Sequence, residues 1–121
     1  MPLADRVEVP ELAQYEVKEE FYSTLFHELT HSTGHAKRLN RDTLTKLAAF
    51  GSETYSKEEL VAEIGAAFAC QMVGIDCEKA FTNSVAYIQG WLRALKGDNK
   101  LVIAAAAKAE QAINYMMNGK K

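Results

Sequence analysis

Apolar positions recur at intervals of three and four over residues 18–33, where Phe21, Tyr22, Leu25, Phe26 and Leu29 share one side of a predicted helix that Gly34 stops. A second helical run begins near Ser56. Leu60, Ile64, Ala67, Phe68 and Gln71 follow at helical spacing, Ser56 and Glu59 have the spacing of a capping box, and Gly74 closes the run. Ala80–Lys96 reads as a third helix, with Val85, Ile88, Trp91, Leu92 and Leu95 as its apolar stripe, before the turn signal Gly97-Asp98-Asn99. An alanine-rich last helix is expected from Lys100 to Met117. Between the first two helices, His35–Arg41 is polar and basic, as in a loop, and Thr43–Ala49 predicts a short helix closed by Phe50-Gly51. One stretch breaks the helical rhythm. Arg6-Val7-Glu8-Val9 alternates polar and apolar residues and ends at Pro10, which predicts a short strand at a sheet edge. The expected fold class is α+β, predominantly α-helical, with that short N-terminal strand.

Size and charge narrow the function classes. With 121 residues, 48% of them hydrophobic, the chain can bury one core, so residues 1–121 are expected to form a single domain, a piece of a longer protein. The formal net charge is −2, and the basic residues are scattered apart from Lys37, Arg38 and Arg41 and the tail Lys120-Lys121. A domain gripping phosphates would show a stronger basic face, so direct nucleic-acid binding is not expected of this domain. No apolar run approaches the roughly 20 residues of a membrane span, and no secretory signal is visible. The two cysteines, Cys70 and Cys77, are read as buried thiols of a reducing cytoplasm rather than as a disulfide or a zinc finger.

The chemistry gathers in one place. All three histidines fall within His27-Glu28-Leu29-Thr30-His31-Ser32-Thr33-Gly34-His35. On a helix, His27 and His31 lie one turn apart and point the same way, so both imidazoles can bind one zinc ion from a single side. Glu28, beside the first ligand, can lean over the open position and act as general base toward a metal-activated water. Two surface histidines with an incidental glutamate would be the plain alternative, but the full pattern on an apolar helix favours metal.

The second helix offers a third ligand among Glu58, Glu59 and Glu63. Glu63 is the expected one: it sits mid-helix beside Ala62, Ala66, Ala67 and Cys70, small residues that allow close helix approach, and a carboxylate there needs a partner. Glu59 can close the capping box. One turn from Glu63, it is also the alternative ligand, or a hydrogen-bond partner of a ligand histidine. His35 lies just past the helix end and is read as a loop residue that caps or contacts substrate. Together with Tyr55 and Tyr87 it is a candidate to hold an oxyanion.

With these residues in view, the chain resembles the zincin-like metallopeptidase domain of ArdC-type antirestriction proteins and phage polyvalent proteins. The resemblance is carried by Phe21 through His35, by Arg38-Leu39 and Phe50-Gly51-Ser52-Glu53, by Lys57 through Gly65, and by Ala86-Tyr87-Ile88-Gln89-Gly90-Trp91-Leu92. It implies a zincin fold, one zinc ion on His27, His31 and a glutamate of the second helix, and Glu28 as the catalytic residue. It also implies that a full-length protein can carry an N-terminal single-stranded-DNA-binding domain. The function expected is peptide-bond hydrolysis on a protein or peptide substrate in antirestriction or mobile-element biology, with Arg6–Val9 available to pair an extended substrate. The competing expectation is a non-catalytic zincin-fold module with a structural or vestigial metal that acts by binding protein.

Overall fold

A computed structural model of the chain describes residues 5–16, 18–45, 53–75, 86, 89, 90, 93 and 99–119. The regular elements are a 3-10 turn at Leu12–Gln14 and helices α1 (Lys18–Thr33), α2 (Asp42–Thr45), α3 (Glu53–Met72) and α4 (Asn99–Asn118). Helix α3 lies between α1 and α4 and touches both, while the short α2 packs on α3.

The central place of α3 follows from its composition. Leu60, Val61 and Ile64 form a buried cluster with Ala105 and Ala109 of α4, and Leu101, Val102 and Ala106 pack against it. Burying each large aliphatic chain there stabilises the fold by roughly 1.5–3 kcal/mol. The alanines of α4 keep that helix slim on its inner side, where Ala112 and Ile113 are buried as well. On the side facing α1 the approach is closer still. A Cβ on Gly65 would stand 2.7 Å from both Cγ2 and Oγ1 of Thr30. Thr30 is fully buried, and its hydroxyl donates to the Phe26 carbonyl at 2.7 Å. This crossing fixes what faces what: His27 and His31, three residues before and one after Thr30, meet the α3 carboxylates less than two turns before Gly65.

The loop after α1 is ordered by its own backbone. Leu39 N–H donates to Thr33 O (2.9 Å), Arg38 N–H to His35 O (2.8 Å) and Arg41 N–H to Gly34 O (3.0 Å). Asn40 takes the left-handed conformation (φ 49°) that lets the chain reverse into α2.

Three expectations need correction. No strand occurs among the described residues: residues 6–10 have no regular secondary structure, and they are exposed or half-buried. The alternation is present, and Arg6 and Glu8 pair on one side at 2.7 Å, but an isolated extended segment without a partner forms no ladder. The described fold is therefore all-helical rather than α+β. The capping box is also absent, because α3 begins at Glu53 and Ser56 lies inside it, 1% exposed, with no hydrogen-bond partner for Oγ among the described residues. Finally, the predicted stripe of α1 is only half-buried, with Tyr22 exposed, whereas Thr30 and Thr33 are its buried residues.

Other expectations meet the structure directly. Gly74 follows α3 with φ +74°, α4 runs one residue beyond the expected span at each end, and Cys70 is buried. Residues 86, 89, 90 and 93 of the expected third helix are helical. The rest of that helix, most of the Thr43–Ala49 helix, Cys77 and Tyr87 lie outside the described residues. No helix among the described residues is long and apolar enough to cross a membrane.

Candidate metal centre

One turn of α1 and one face of α3 place three side chains around a point. The Nε2 atoms of His27 and His31 are 3.1 Å apart, and Glu59 stands 3.1 Å from each of them, Oε2 toward His27 and Oε1 toward His31. The other ring nitrogens face carboxylates behind the site. His31 Nδ1 is 2.6 Å from Glu58 Oε2 and donates its hydrogen there, which leaves Nε2 as the nitrogen that turns toward Glu59 and could bind a metal. His27 Nδ1 is 2.8 Å from Glu63 Oε1, close enough for an ion pair but out of line with a ring N–H.

The electrostatics of the cluster favour positive charge on the imidazoles. Burial disfavours charge on His27, yet Glu59 and Glu63 outweigh it and push its pKa up to about 10. His31 is raised too, burial being overcome by Glu58 and Glu59. Burial would lift Glu59, but the two histidines hold it down at about 2. The cluster thus demands positive charge between its donors. Protons can supply it through Nε2–H bonds to the two oxygens of Glu59, but they leave the two Nε2 atoms crowded at 3.1 Å. A divalent cation fits better: metal–nitrogen bonds of about 2.0–2.1 Å set two ligand nitrogens about 3.3 Å apart at a tetrahedral angle. His27, His31 and Glu59 each turn one ligand atom into this group.

A cavity of about 630 Å³ opens beside the cluster. Glu28, His31, Glu59, Tyr55, His35 and Leu44 are among its lining residues. Glu28 therefore lines the same cavity as His31 and Glu59. Tyr55 hydrogen-bonds Glu59, and burial together with the charges of Glu59 and Glu28 raises its pKa. His35 accepts a hydrogen bond at Nδ1 from the Lys37 backbone N–H (3.1 Å), which leaves its hydrogen on Nε2. The structure thus brings Glu28, His27, His31, Glu59, Tyr55 and His35 to one neighbourhood. It sets Glu63, the residue expected at the metal, behind His27 instead.

Sequence reasoning missed a layer behind the ligands. Glu58 is 4% exposed and Arg41 7%. Arg41 donates to Glu58 through Nε (2.8 Å, to Oε1) and Nη2 (2.9 Å, to Oε2), and Thr43 Oγ1 donates to Oε1 at 2.8 Å. Burial would raise Glu58, but Arg41 and His31 hold it at about 2. A signal existed: the carbonyls ending α1 need donors, and an arginine soon after the helix stop can supply them.

A family profile for zincin-like metallopeptidases matches residues 1–108. The chain is 39% identical over 116 residues to a DNA primase TraC of Escherichia coli, which covers 96% of this chain and 8% of that protein. It is 35% identical over 115 residues to the uncharacterized protein y4eC of Sinorhizobium fredii, covering 95% of this chain and 36% of that one. Among solved structures, the Mn(II)-bound crystal structure of the antirestriction protein ArdC from the R388 plasmid matches with a TM-score of 0.72 at 38% identity, over 97% of this chain and 42% of that chain. The metal-free structure of the same protein gives a TM-score of 0.69, also at 38% identity, over 97% and 40%. This chain spans less than half the length of each of these relatives.

Proposed function

Since the chain belongs to the zincin-like metallopeptidase family, we propose that it is a metal-dependent peptidase in which His27, His31 and Glu59 hold one divalent ion and Glu28 is the general base. The observation that carries the proposal is the convergence of both Nε2 atoms and Glu59 at 3.1 Å, beside a cavity lined by His31, Glu59 and Glu28. When bound, the ion supplies Lewis acidity and lowers the pKa of water to about 7. Glu28 takes the proton of the attacking water and returns it to the leaving amine. Tyr55 steadies Glu59 through its hydroxyl, and His35 offers an Nε2–H to a substrate carbonyl. Zinc is the ion proposed for the His₂Glu donor set. The Mn(II) of the R388 relative makes manganese the second ion to load.

The substrate proposed is protein or peptide, in the cytoplasm of a host that carries a mobile element, by extension from the antirestriction relative. Contact with single-stranded DNA would belong to another domain of a longer protein, since this one has a net charge of −2. The deciding variant is Glu28→Gln. Metal content measured by elemental analysis should stay stoichiometric, while cleavage of an unfolded protein such as casein falls by about 10²–10⁴-fold. Equal cleavage by wild type and variant removes Glu28 from the reaction. A metal-loaded wild type that leaves every peptide intact replaces the peptidase with a non-catalytic module.

A further inference from the structure

We infer that Arg41 is a positioning residue for the metal ligand His31, acting through the carboxylate of Glu58. This rests on the reading of His31 as a ligand and adds a role for Arg41, which lies outside the cavity.

Four donors reach Glu58, two on each oxygen. Arg41 Nε and Thr43 Oγ1 bond Oε1, each at 2.8 Å; Arg41 Nη2 (2.9 Å) and His31 Nδ1 (2.6 Å) bond Oε2. A carboxylate so held has one orientation, and it passes that orientation to the imidazole. The same bond commits Nδ1 to Glu58 and turns Nε2 toward Glu59, where a neutral ring offers a metal its lone pair.

Arg41 is held just as firmly. Its Nη1 donates to Thr33 Oγ1 at 3.0 Å and its Nη2 to the Thr30 carbonyl at 2.9 Å, so one guanidinium ties the last turn of α1 to the first part of α3. These are the two helices that contribute the ligands. Lysine cannot substitute, because a single ammonium cannot fork across both carboxylate oxygens while also reaching Thr33 and Thr30. The fold also reserves the space: a Cβ on Gly34 would stand 2.8 Å from Cζ and Nη2 of Arg41. Gly34 therefore both ends α1 and admits the guanidinium beneath it. Arg41 is buried behind Glu58 and is not among the residues lining the cavity, so its effect on the metal runs through His31.

The test is a metal titration of the whole chain, stripped with chelator and returned to Zn(II) or Mn(II) in competition with an indicator dye. Arg41→Met should raise Kd by about 10–100-fold, the usual cost of losing a partner behind a ligand. Arg41→Lys, which keeps charge but not the fork, should raise it by about tenfold. Ile113→Ala serves as the control, since it opens a void in the core on α4 and lowers Tm without touching the site; its Kd should stay within twofold of wild type. Arg41→Lys and Arg41→Met both within twofold of wild type would overturn the inference. Should Arg41→Met fail to fold by circular dichroism, Arg41→Lys decides alone by the same limit. A wild type that takes up neither ion defeats the metal reading itself, whereas a tightly binding wild type whose folded Arg41 variants all stay within twofold of it defeats only the role of Arg41.

Discussion

Glu59 and Glu63 occupy the same face of α3, one turn apart, and sequence spacing gives them equal access to a metal. The structure separates them by atom: Glu59 reaches both Nε2 nitrogens, and Glu63 reaches the far nitrogen of His27. The spatial relation of His27, Glu28 and His31 was legible because a helix of fixed pitch dictates it. The choice between the glutamates was not, because it depends on how α3 is rotated against α1, a property of two distant segments together. Alanine replacements measure the division of labour. Glu63→Ala should weaken zinc binding by about 10–100-fold, and Glu59→Ala should weaken it by a larger factor, both read by dialysis and elemental analysis. Full metal in Glu59→Ala with loss in Glu63→Ala would give the ligand place back to Glu63.

At the scale of elements, helical periodicity placed α1 and α4 to within a residue or so and α3 to within three. What it misjudged were features that only tertiary partners decide. Arg6–Val9 alternates like a strand but meets no second strand among the described residues. Ser56 and Glu59 have capping-box spacing, but the histidines of α1 claim the Glu59 carboxylate. The apolar stripe of α1 drew attention away from Thr30 and Thr33, whose hydroxyls bond carbonyls of their own helix and so can be buried at a close crossing. That crossing gives an expected outcome. Gly65→Ala puts a methyl 2.7 Å from Thr30 Cγ2 and should cost about 1–3 kcal/mol of stability in denaturant unfolding, as overpacking does. Adding Thr30→Ala should recover part of that loss, a coupling of at least about 0.5 kcal/mol in a double-mutant cycle. Strict additivity would mean that the helices part elsewhere to make room.

For the whole molecule, the consequence of the site's position is that metal and fold share one interface. The proposed ligands come from α1 and α3, the helices that also meet at the close Thr30–Gly65 crossing, whereas the aliphatic cluster lies between α3 and α4, so an ion would add to a junction that packing already makes. Without it, carboxylates and histidines still attract each other across that junction, with His27 held at about 10 and Glu58 and Glu59 at about 2. The apo chain should therefore stay folded. Metal should then act as a stabilising ligand rather than as a condition of folding. At a free concentration about 100 times Kd it adds about 2.7 kcal/mol, which for a domain of this size raises Tm on the order of 10 °C. In scanning calorimetry, Glu28→Gln should show the same rise as wild type, because Glu28 faces the cavity without holding the ion, and Glu59→Ala should show almost none. A wild-type Tm unmoved by saturating zinc and manganese would mean that no ion bridges the two helices. Collapse of the chelated chain to an unfolded state would mean instead that the α1–α3 junction has too little strength of its own.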